Sequence, residues 1–224
     1  MREYIEQIAN APLFQGIKRD ELEAMLGCLG SFEKSYYKGE YIILEQDRVK
    51  CIGVILKGTV DMIKEDILGN KTIMVRIKEQ QLFGETFACS EDPMASVSFC
   101  ASSDCRVMFL QFERVMYSCT SACIFHHRLI ENMVRLIANK NKDLMEKIGI
   151  ISKKNLREKI MAYLYMQAQL QGSSHFEIPL GRVEFAEYLC ADRSALTREL
   201  SNMKSDGIID YDKNVFKLLK LNID

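Results

Sequence analysis

The segment GRVEFAEYLCADRSALTRELSNMKSDGII, residues 181–209, carries the most specific structural signal in this sequence. Two sets of apolar residues repeat in it with helical spacing: Phe185, Ala186 and Leu189, and then Leu196, Leu200 and Met203. Cys190 and Ala191 form the turn between the two sets, and Asp192 is a good N-cap for the second helix. A helix, a tight turn and a capped helix in this order predict a helix-turn-helix.

The second helix of this segment has a polar face opposite its apolar residues. Arg193, Ser194, Thr197 and Arg198 lie on this face, within the first two helical turns. Arg forms bidentate hydrogen bonds to guanine, Ser and Thr bond to several bases, and the start of a recognition helix enters the major groove. We therefore predict that these residues contact double-stranded DNA, since an ordinary solvated helix face would not explain the order of the elements.

The flanking sequence completes a winged helix-turn-helix. Residues 156–170 form an amphipathic helical pattern that ends at Gly172-Ser173-Ser174. The tail IIDYDKNVFKLL, residues 208–219, alternates like a β-hairpin with its turn at residues 212–214. Three helices and a hairpin predict a winged helix-turn-helix domain over residues 152–224.

Residues 30–112 have a different periodicity, with short apolar runs that are typical of strands. The runs are rich in Val, Ile, Phe and Tyr: YIIL (41–44), CIGVIL (51–56), TVDMI (59–63), TIMVRI (72–77), SVSF (96–99) and RVMFLQF (106–112). Turn signals such as Lys57-Gly58 and Gly69-Asn70 separate them. Many short strands predict a sandwich or barrel, and a helical pattern at residues 17–29 precedes them.

Between these two regions the sequence predicts one long helix. No Gly or Pro interrupts residues 124–148, and apolar residues recur every seven positions: Ile130, Ile137, Leu144 and Ile151. The companion positions 133, 140 and 147 hold Met, Lys and Lys, so the second apolar column is imperfect. We predict a homodimer whose contacts are Ile130, Met133, Ile137, Leu144 and Ile151. The alternative is a long helix that lies on its own domain.

Composition excludes several classes of protein. The 224 residues are 48% apolar with a net charge of −1, so the DNA prediction depends on the local motif and not on bulk charge. No apolar run is long enough to span a membrane, and MREYIEQIAN lacks the apolar core of a signal peptide. We expect a cytoplasmic protein whose 8 cysteines, none in a C-x-x-C pair, are reduced thiols.

Taken together, these features resemble the Crp/Fnr family of transcriptional regulators. Tyr37-Lys38-Gly39-Glu40, Leu56-Lys57-Gly58, Gly69 and Phe83-Gly84-Glu85 are similar to the glycine framework of its cyclic-nucleotide-binding-like barrel. The resemblance implies an α+β protein with three parts: an N-terminal double-stranded β-helix (jelly-roll) barrel with N-terminal helices over residues 1–112, a dimerisation helix over 113–151, and a C-terminal winged helix-turn-helix over 152–224. It also implies a near-palindromic DNA site and RNA polymerase as a partner, and we expect no enzymatic activity and no cofactor or metal.

The resemblance also assigns DNA-contacting positions and marks two departures from the family pattern. Arg182 matches a position that often contacts the DNA backbone, and Arg193 and Arg198 match two base-contacting arginines. Ser194 stands where the family usually has a glutamate that accepts from cytosine, so the half-site preference is open. Cys190 stands where the family usually has glycine, at a cost of about 1 kcal/mol if this residue is left-handed.

The loop FGETFACSEDPMASVSF, residues 83–99, has the outline of the family's phosphate-binding cassette. The resemblance implies an effector site at Gly84, Glu85, Thr86, Ala95 and Ser96, where family members use the glutamate for a ribose hydroxyl and an arginine for the cyclic phosphate. Ala95 occupies the position of that arginine, and the loop contains acidic residues but no Lys or Arg. Because phosphate prefers a planar, permanently charged donor, we expect no cyclic nucleotide, but a less anionic effector or none.

A redox switch is the main alternative to a small-molecule effector. It would use the thiols of Cys100 and Cys105 or of Cys119 and Cys123, which are the closest cysteine pairs in the sequence. An iron–sulfur sensor would need a cysteine cluster near the N-terminus, and only Cys28 lies in the first fifty residues.

Further alternatives have less support in the sequence. A haem sensor needs axial ligands, and the three histidines lie outside the barrel region: His126, His127 and His175. A metal-dependent cupin enzyme needs His ligands inside its barrel, and residues 30–112 contain none. A cyclic-nucleotide-binding regulatory module would not need the winged helix.

Overall fold

The computed structural model of the chain describes residues 5–6, 8–116 and 124–219, in two units, Met1–Asn139 and Lys140–Asp224. The first unit contains helix α1 (Arg19–Cys28) followed by eight strands. These are β1 (Phe32–Tyr36), β2 (Tyr41–Ile43), β3 (Cys51–Lys57), β4 (Val60–Glu65), β5 (Lys71–Ile77), β6 (Leu82–Phe83), β7 (Ser98–Ala101) and β8 (Cys105–Gln111). Helix α2 (Glu85–Ala88) lies between β6 and β7, and helix α3 (Phe112–Met116) follows β8.

The eight strands form two four-stranded antiparallel sheets, ordered β1-β8-β3-β6 and β2-β7-β4-β5. Most neighbours are distant in sequence, as in the pairing of Val54 with Met108. Apolar side chains from both sheets, such as Val60 and Val107, are buried in one core. This arrangement confirms the predicted α+β class with an N-terminal barrel of the jelly-roll type.

A close contact between β3 and β6 fixes the start of the predicted effector loop. A Cβ atom at Gly53 would lie 2.4 Å from the ring carbons of Phe83, so only glycine leaves room for that ring. The Phe83 ring continues into the core, where its centroid lies 5.2 Å from that of Phe99. The residue that precedes Gly84 is therefore anchored by both sheets.

Helix α4 (Ile124–Ile151) is one helix of 28 residues, and it holds the N-terminal segment of the first unit. Buried Asn132 donates two hydrogen bonds from Nδ2, to the carbonyl oxygens of Leu13 at 3.0 Å and Gln15 at 2.8 Å. Leu129 and Met133 are buried beside it in the first core. A buried amide with both protons satisfied orients the packing as well as stabilising it.

The predicted dimer contacts differ in their exposure. Met133 is only 3% exposed because it packs in the core of its own unit, so its contact with a second copy stays a prediction. Ile130 and Ile137 pack partly against the same core, whereas Leu144 is exposed. Residues 117–123 lie outside the described ranges, so the boundary at residue 113 stays a prediction.

The second unit contains the end of α4 and six further elements. These are α5 (Leu156–Gln171), β9 (His175–Glu177), α6 (Arg182–Tyr188), α7 (Arg193–Ser205), β10 (Ile209–Asp212) and β11 (Val215–Leu218). The strands form a three-stranded sheet in the order β10-β11-β9, with Phe216 of β11 opposite Phe176 of β9. The sequence predicted the β10–β11 hairpin, but three-residue β9 is too short to show a period.

The predicted turn of the helix-turn-helix is confirmed in its details. Asp192 caps α7, because its side chain accepts hydrogen bonds from the backbone N–H groups of Ser194 and Ala195. Cys190 has φ = 51°, in the left-handed region. This conformation is the one for which a residue with a Cβ atom carries a steric cost.

We expect Cys190→Gly to have a higher free energy of unfolding than Cys190→Ala by about 1 kcal/mol, because only glycine removes the left-handed strain. Both variants delete the same exposed thiol, so the alanine variant is the matched control. Chemical denaturation of the two proteins measures the difference. Equal free energies of unfolding would contradict the strained turn.

Candidate DNA-binding surface and effector loop

One face of helix α7 is fully buried, and this burial orients the opposite face. The buried residues are Leu196, Leu200 and Met203, which pack in the core of the second unit. The exposed residues include four predicted DNA contacts, namely Arg193, Ser194, Thr197 and Arg198. Side chains three and four positions apart are neighbours on a helix, and these spacings link all four residues at the start of α7.

The two hydroxyl groups on this face already donate hydrogen bonds within the helix. Ser194 Oγ donates to Asp192 Oδ1 at 2.5 Å, and Thr197 Oγ1 donates to the carbonyl oxygen of Arg193 at 2.9 Å. The hydrogen bond from Ser194 is the largest of the effects that lower the pKa of Asp192. The hydroxyls can still accept hydrogen bonds, so the strong donors on this face are the guanidinium groups.

One arginine neutralises two carboxylates at the middle and the C-terminal end of α7. Arg157 of α5 contacts Glu199 at 2.5 Å (Nε to Oε1) and Asp206 at 2.7 Å (Nη1 to Oδ2). Glu199 lies within α7, and Asp206 is the C-cap residue that follows it. Arg157 therefore braces α7 against α5 and compensates charge that would repel a DNA backbone.

The fifth predicted DNA contact, Arg182, is used within the protein. Its guanidinium carbon lies 5.0 Å from the ring centroid of Tyr211 and 5.5 Å from that of Phe216, and Nη2 donates to the carbonyl oxygen of Lys213 at 2.9 Å. Burial lowers the pKa of this guanidinium below its usual value. Arg182 thus fastens α6 to the β10–β11 hairpin, a contact that the sequence did not predict.

The hairpin adds two exposed cations that sequence reasoning missed. Lys213 lies at the hairpin turn with φ = 51°, and Lys217 lies on β11. The alternation of β11 could have indicated Lys217, because it lies between the buried residues Phe216 and Leu218.

The predicted effector residues divide into a buried and an exposed group. Gly84 adopts φ = 78° and begins α2, while Glu85 and Ala95 are buried. Thr86 and Ser96 are exposed. The five residues therefore differ in how far a ligand could reach them, and an effector site formed by all five stays a prediction.

Ala95, at the position of the missing arginine, is held by a neighbouring turn. Its N–H donates to the carbonyl oxygen of Asp47 at 2.9 Å, and its carbonyl oxygen accepts from the N–H of Gln46 at 2.8 Å. The next residue, Ser96, contacts a lysine: Lys64 Nζ of β4 donates a hydrogen bond to the carbonyl oxygen of Ser96 at 2.8 Å. Glu45 neutralises this lysine through a contact of 2.5 Å.

A cavity of about 460 Å³ lies elsewhere in the first unit. Its lining residues share no member with the predicted effector loop; they are Lys38, Gly39, Thr59, Asp61, Arg76, Ala101 and Ser102. Buried Asp61 accepts two hydrogen bonds from Arg76, from Nε at 2.7 Å and from Nη2 at 2.8 Å. This bidentate pair forms the charged wall of the cavity.

The cysteine pair inside the barrel has little thiolate character. Burial raises the pKa of Cys100, and burial with the nearby charge of Asp104 raises the pKa of Cys105 to about 11. A protonated thiol is a poor nucleophile and oxidises slowly, which weakens the redox alternative for this pair. The other pair, Cys119 and Cys123, lies outside the described residues.

Two general features hold over residues 5–6, 8–116 and 124–219. In these ranges no helix is long and apolar enough to cross a membrane. The same ranges contain no group of three or more His, Cys, Asp or Glu residues that could hold a metal ion.

Two family models match the chain: a cyclic nucleotide-binding domain matches residues 33–118, and a Crp-like helix-turn-helix domain matches residues 158–222. Among solved structures, the chain is similar to OCPA-complexed CprK, with a TM-score of 0.66 and 13% identity over 90% of each chain. It is also similar to CLP, a c-di-GMP responsive global regulator of Xanthomonas campestris, with a TM-score of 0.58 and 15% identity over 89% of this chain and 100% of CLP.

A third similar structure is DNR from Pseudomonas aeruginosa, with a TM-score of 0.51 and 16% identity over 98% of this chain and 95% of DNR. No curated protein sequence matches the chain. At these identities the solved structures show the fold alone, and the two family models identify the two domains.

Arg182→Ala should lower the free energy of unfolding by about 1 kcal/mol or more, because it removes the stacking on two aromatic rings and one hydrogen bond. Arg193→Ala is the matched control, since Arg193 is exposed and its loss should change stability by less than about 0.5 kcal/mol. Denaturation of both variants without DNA makes the comparison. Equal stabilities would mean that Arg182 does not fasten the hairpin.

Proposed function

Because the chain belongs to the Crp/Fnr family of transcriptional regulators, we propose that it is a homodimer that binds a specific DNA sequence under the control of a small effector. The observation that carries the proposal is the exposed pair Arg193 and Arg198 at the capped start of α7. Regulators with a Crp-like helix-turn-helix bind DNA and usually act as dimers. RNA polymerase is the proposed protein partner, and no enzymatic activity is proposed.

In the proposed complex, α7 of each protomer enters the major groove. Arg193 and Arg198 donate to guanine, and Ser194 and Thr197 accept hydrogen bonds from bases or face thymine methyl groups. Lys213 of the hairpin contacts phosphate, and Arg182 supports that contact through its bond to the Lys213 carbonyl. Two such helices fit a near-palindromic site with half-sites about 34 Å apart.

In the proposed sensing mechanism, residues 1–112 bind the effector, residues 113–151 pair the protomers and residues 152–224 bind DNA. The effector binds near Gly84, Glu85, Thr86, Ala95 and Ser96, and it carries little negative charge. Two observations support this class of ligand: Ala95 offers only a methyl group, and the approaching Lys64 is already paired with Glu45. An effector that prefers one packing of the paired helices would change DNA affinity by shifting populations.

Arg198→Ala should abolish specific DNA binding while the dimer persists. A good bidentate contact to guanine contributes about 1–3 kcal/mol, and a dimer loses two of them, so we expect the affinity for the specific site to fall about 30-fold or more. Fluorescence anisotropy with the selected site measures the affinity, and sedimentation measures the dimer.

Arg19→Ala is the control for this substitution, because Arg19 is an exposed arginine of the first unit paired only at the surface with Glu6. It should leave the affinity for the specific site unchanged. Unchanged specific binding by Arg198→Ala would refute the assignment of α7 as the recognition helix.

Cyclic AMP should not stabilise the protein, since the loop lacks a guanidinium for the phosphate. A ligand at about one hundred times its dissociation constant adds about 2.7 kcal/mol of stability, which for a chain of this size would raise Tm by about 5 °C or more. We expect a shift below about 1 °C at millimolar cyclic AMP, equal to that with AMP. A saturable rise at micromolar concentrations with cyclic AMP alone would overturn the proposed effector class.

A further inference from the structure

Helix α4 has an apolar stripe that its own core covers only in part. Val134, Leu144 and Ile148 are 57%, 56% and 59% exposed, although the helix also carries the fully buried Leu129 and the buried Met133. Large apolar residues that are exposed in line along one helix indicate a surface for another chain.

The stripe follows the spacing of the a and d positions along which two coiled-coil helices pack, here called the seam. Its members are separated alternately by four and three positions: Ile130, Val134, Ile137, Asn141, Leu144, Ile148 and Ile151. In heptad terms Val134, Asn141 and Ile148 occupy the a positions, and the other four residues occupy the d positions. This pattern replaces the predicted column of residues 133, 140 and 147, because Met133 packs inside its own unit.

Asn141 is the one polar member of the stripe, and it is exposed. In a parallel, in-register pair of helices each a position faces the same a position of the other helix, so Asn141 would lie beside Asn141 of the partner subunit. The two amides could then bond to each other. In an antiparallel pair, or in a pair shifted by a heptad, Asn141 would face an apolar residue and lose hydrogen bonds to water without replacement.

The polar Asn141 matters because the apolar residues of the seam alone do not favour a dimer over larger oligomers. β-branched residues at a favour dimers when leucine occupies d, but three of the four d residues here are isoleucine, which favours higher oligomers. A single Asn at an a position restores the preference for two strands in register, at a cost in stability.

Charge beside the seam favours the same orientation. Lys140 and Lys147 precede the a residues Asn141 and Ile148 and therefore occupy g positions. In a parallel pair, g residues lie beside e residues, which here include Ala138 and Met145. In an antiparallel pair, g residues face g residues, and the lysines of the two copies would repel each other.

We propose that Asn141 is the residue that fixes the dimer of this protein as parallel, two-stranded and in register. The partner that fits the stripe is a second copy of the same chain. The inference rests on the proposed function, which supplies the DNA-binding dimer. The new claim is that Asn141 determines the symmetry of that dimer. A parallel pair related by a two-fold axis matches the symmetry of a near-palindromic site.

The first test compares Asn141→Ile with Asn139→Ile in the full-length protein. Asn139 is exposed two residues away and lies off the seam, so the control makes the same chemical change on the same helix. Sedimentation over a concentration series should show one dimer for the wild type and for Asn139→Ile, but trimers or larger species for Asn141→Ile. An unchanged single dimer of Asn141→Ile, or a monomeric wild type, would overturn the proposal.

A second test keeps the proposal falsifiable if Asn141→Ile folds poorly. In Val134→Cys, a parallel in-register pair places the two introduced thiols side by side, so mild oxidation should link them at least tenfold more than any other pair. Peptide mapping against the oxidised wild type identifies the link. The absence of that link would refute the parallel register, and specific DNA binding by the wild type would show that the proposed function stands independently.

Discussion

The structure of this protein depends on which side chains of α4 pack in its own cores and which stay exposed. Leu129, Asn132 and Met133 face the first core, and Asn132 gives both amide protons to the backbone of the N-terminal segment. Near its end, Ile150 is buried in the second core. The stripe that remains is apolar except for Asn141, and its residues Val134, Leu144 and Ile148 are exposed, so the unpaired chain exposes apolar surface to water along this helix. Pairing with a second copy removes this surface and at the same time supplies the two-fold symmetry that a DNA regulator uses.

The same division of a helix into a buried and an exposed face explains how a nearly neutral chain can bind DNA. The net charge is −1, so no bulk field attracts nucleic acid. Burial of one side of α7 in the second core leaves its arginines on the opposite side. Arg157 then compensates Glu199 of α7 and Asp206 at its C-cap, two acidic residues that would oppose a phosphate backbone. Local geometry therefore provides a cationic surface that the composition does not show.

The sequence predicted the elements whose signal is local and missed those that depend on distant partners. The N-cap at Asp192, the left-handed Cys190 and the buried face of α7 follow from residues within a few positions of one another. The packing of Met133 in the first core was not predicted, because a heptad count does not show which column of α4 the protein's own core occupies. The intramolecular contacts of Arg182 and Lys64 were missed for a related reason. Their partners, the Lys213 carbonyl and the loop at Ser96, lie about thirty residues away along the chain.

The effector loop keeps the backbone features of the family's phosphate-binding loop but lacks its arginine. Gly84 keeps the left-handed conformation that lets α2 begin after β6, and Glu85 stays buried behind it. The position that would carry the phosphate-binding arginine holds Ala95, which is buried and whose backbone bonds to the turn at Gln46 and Asp47. The methyl group of Ala95 cannot donate a hydrogen bond to an anion, and the approaching Lys64 already has a carboxylate partner. An anionic group entering this loop would thus lose its hydration without gaining an equivalent counter-charge, which favours an effector with apolar or weakly polar surface.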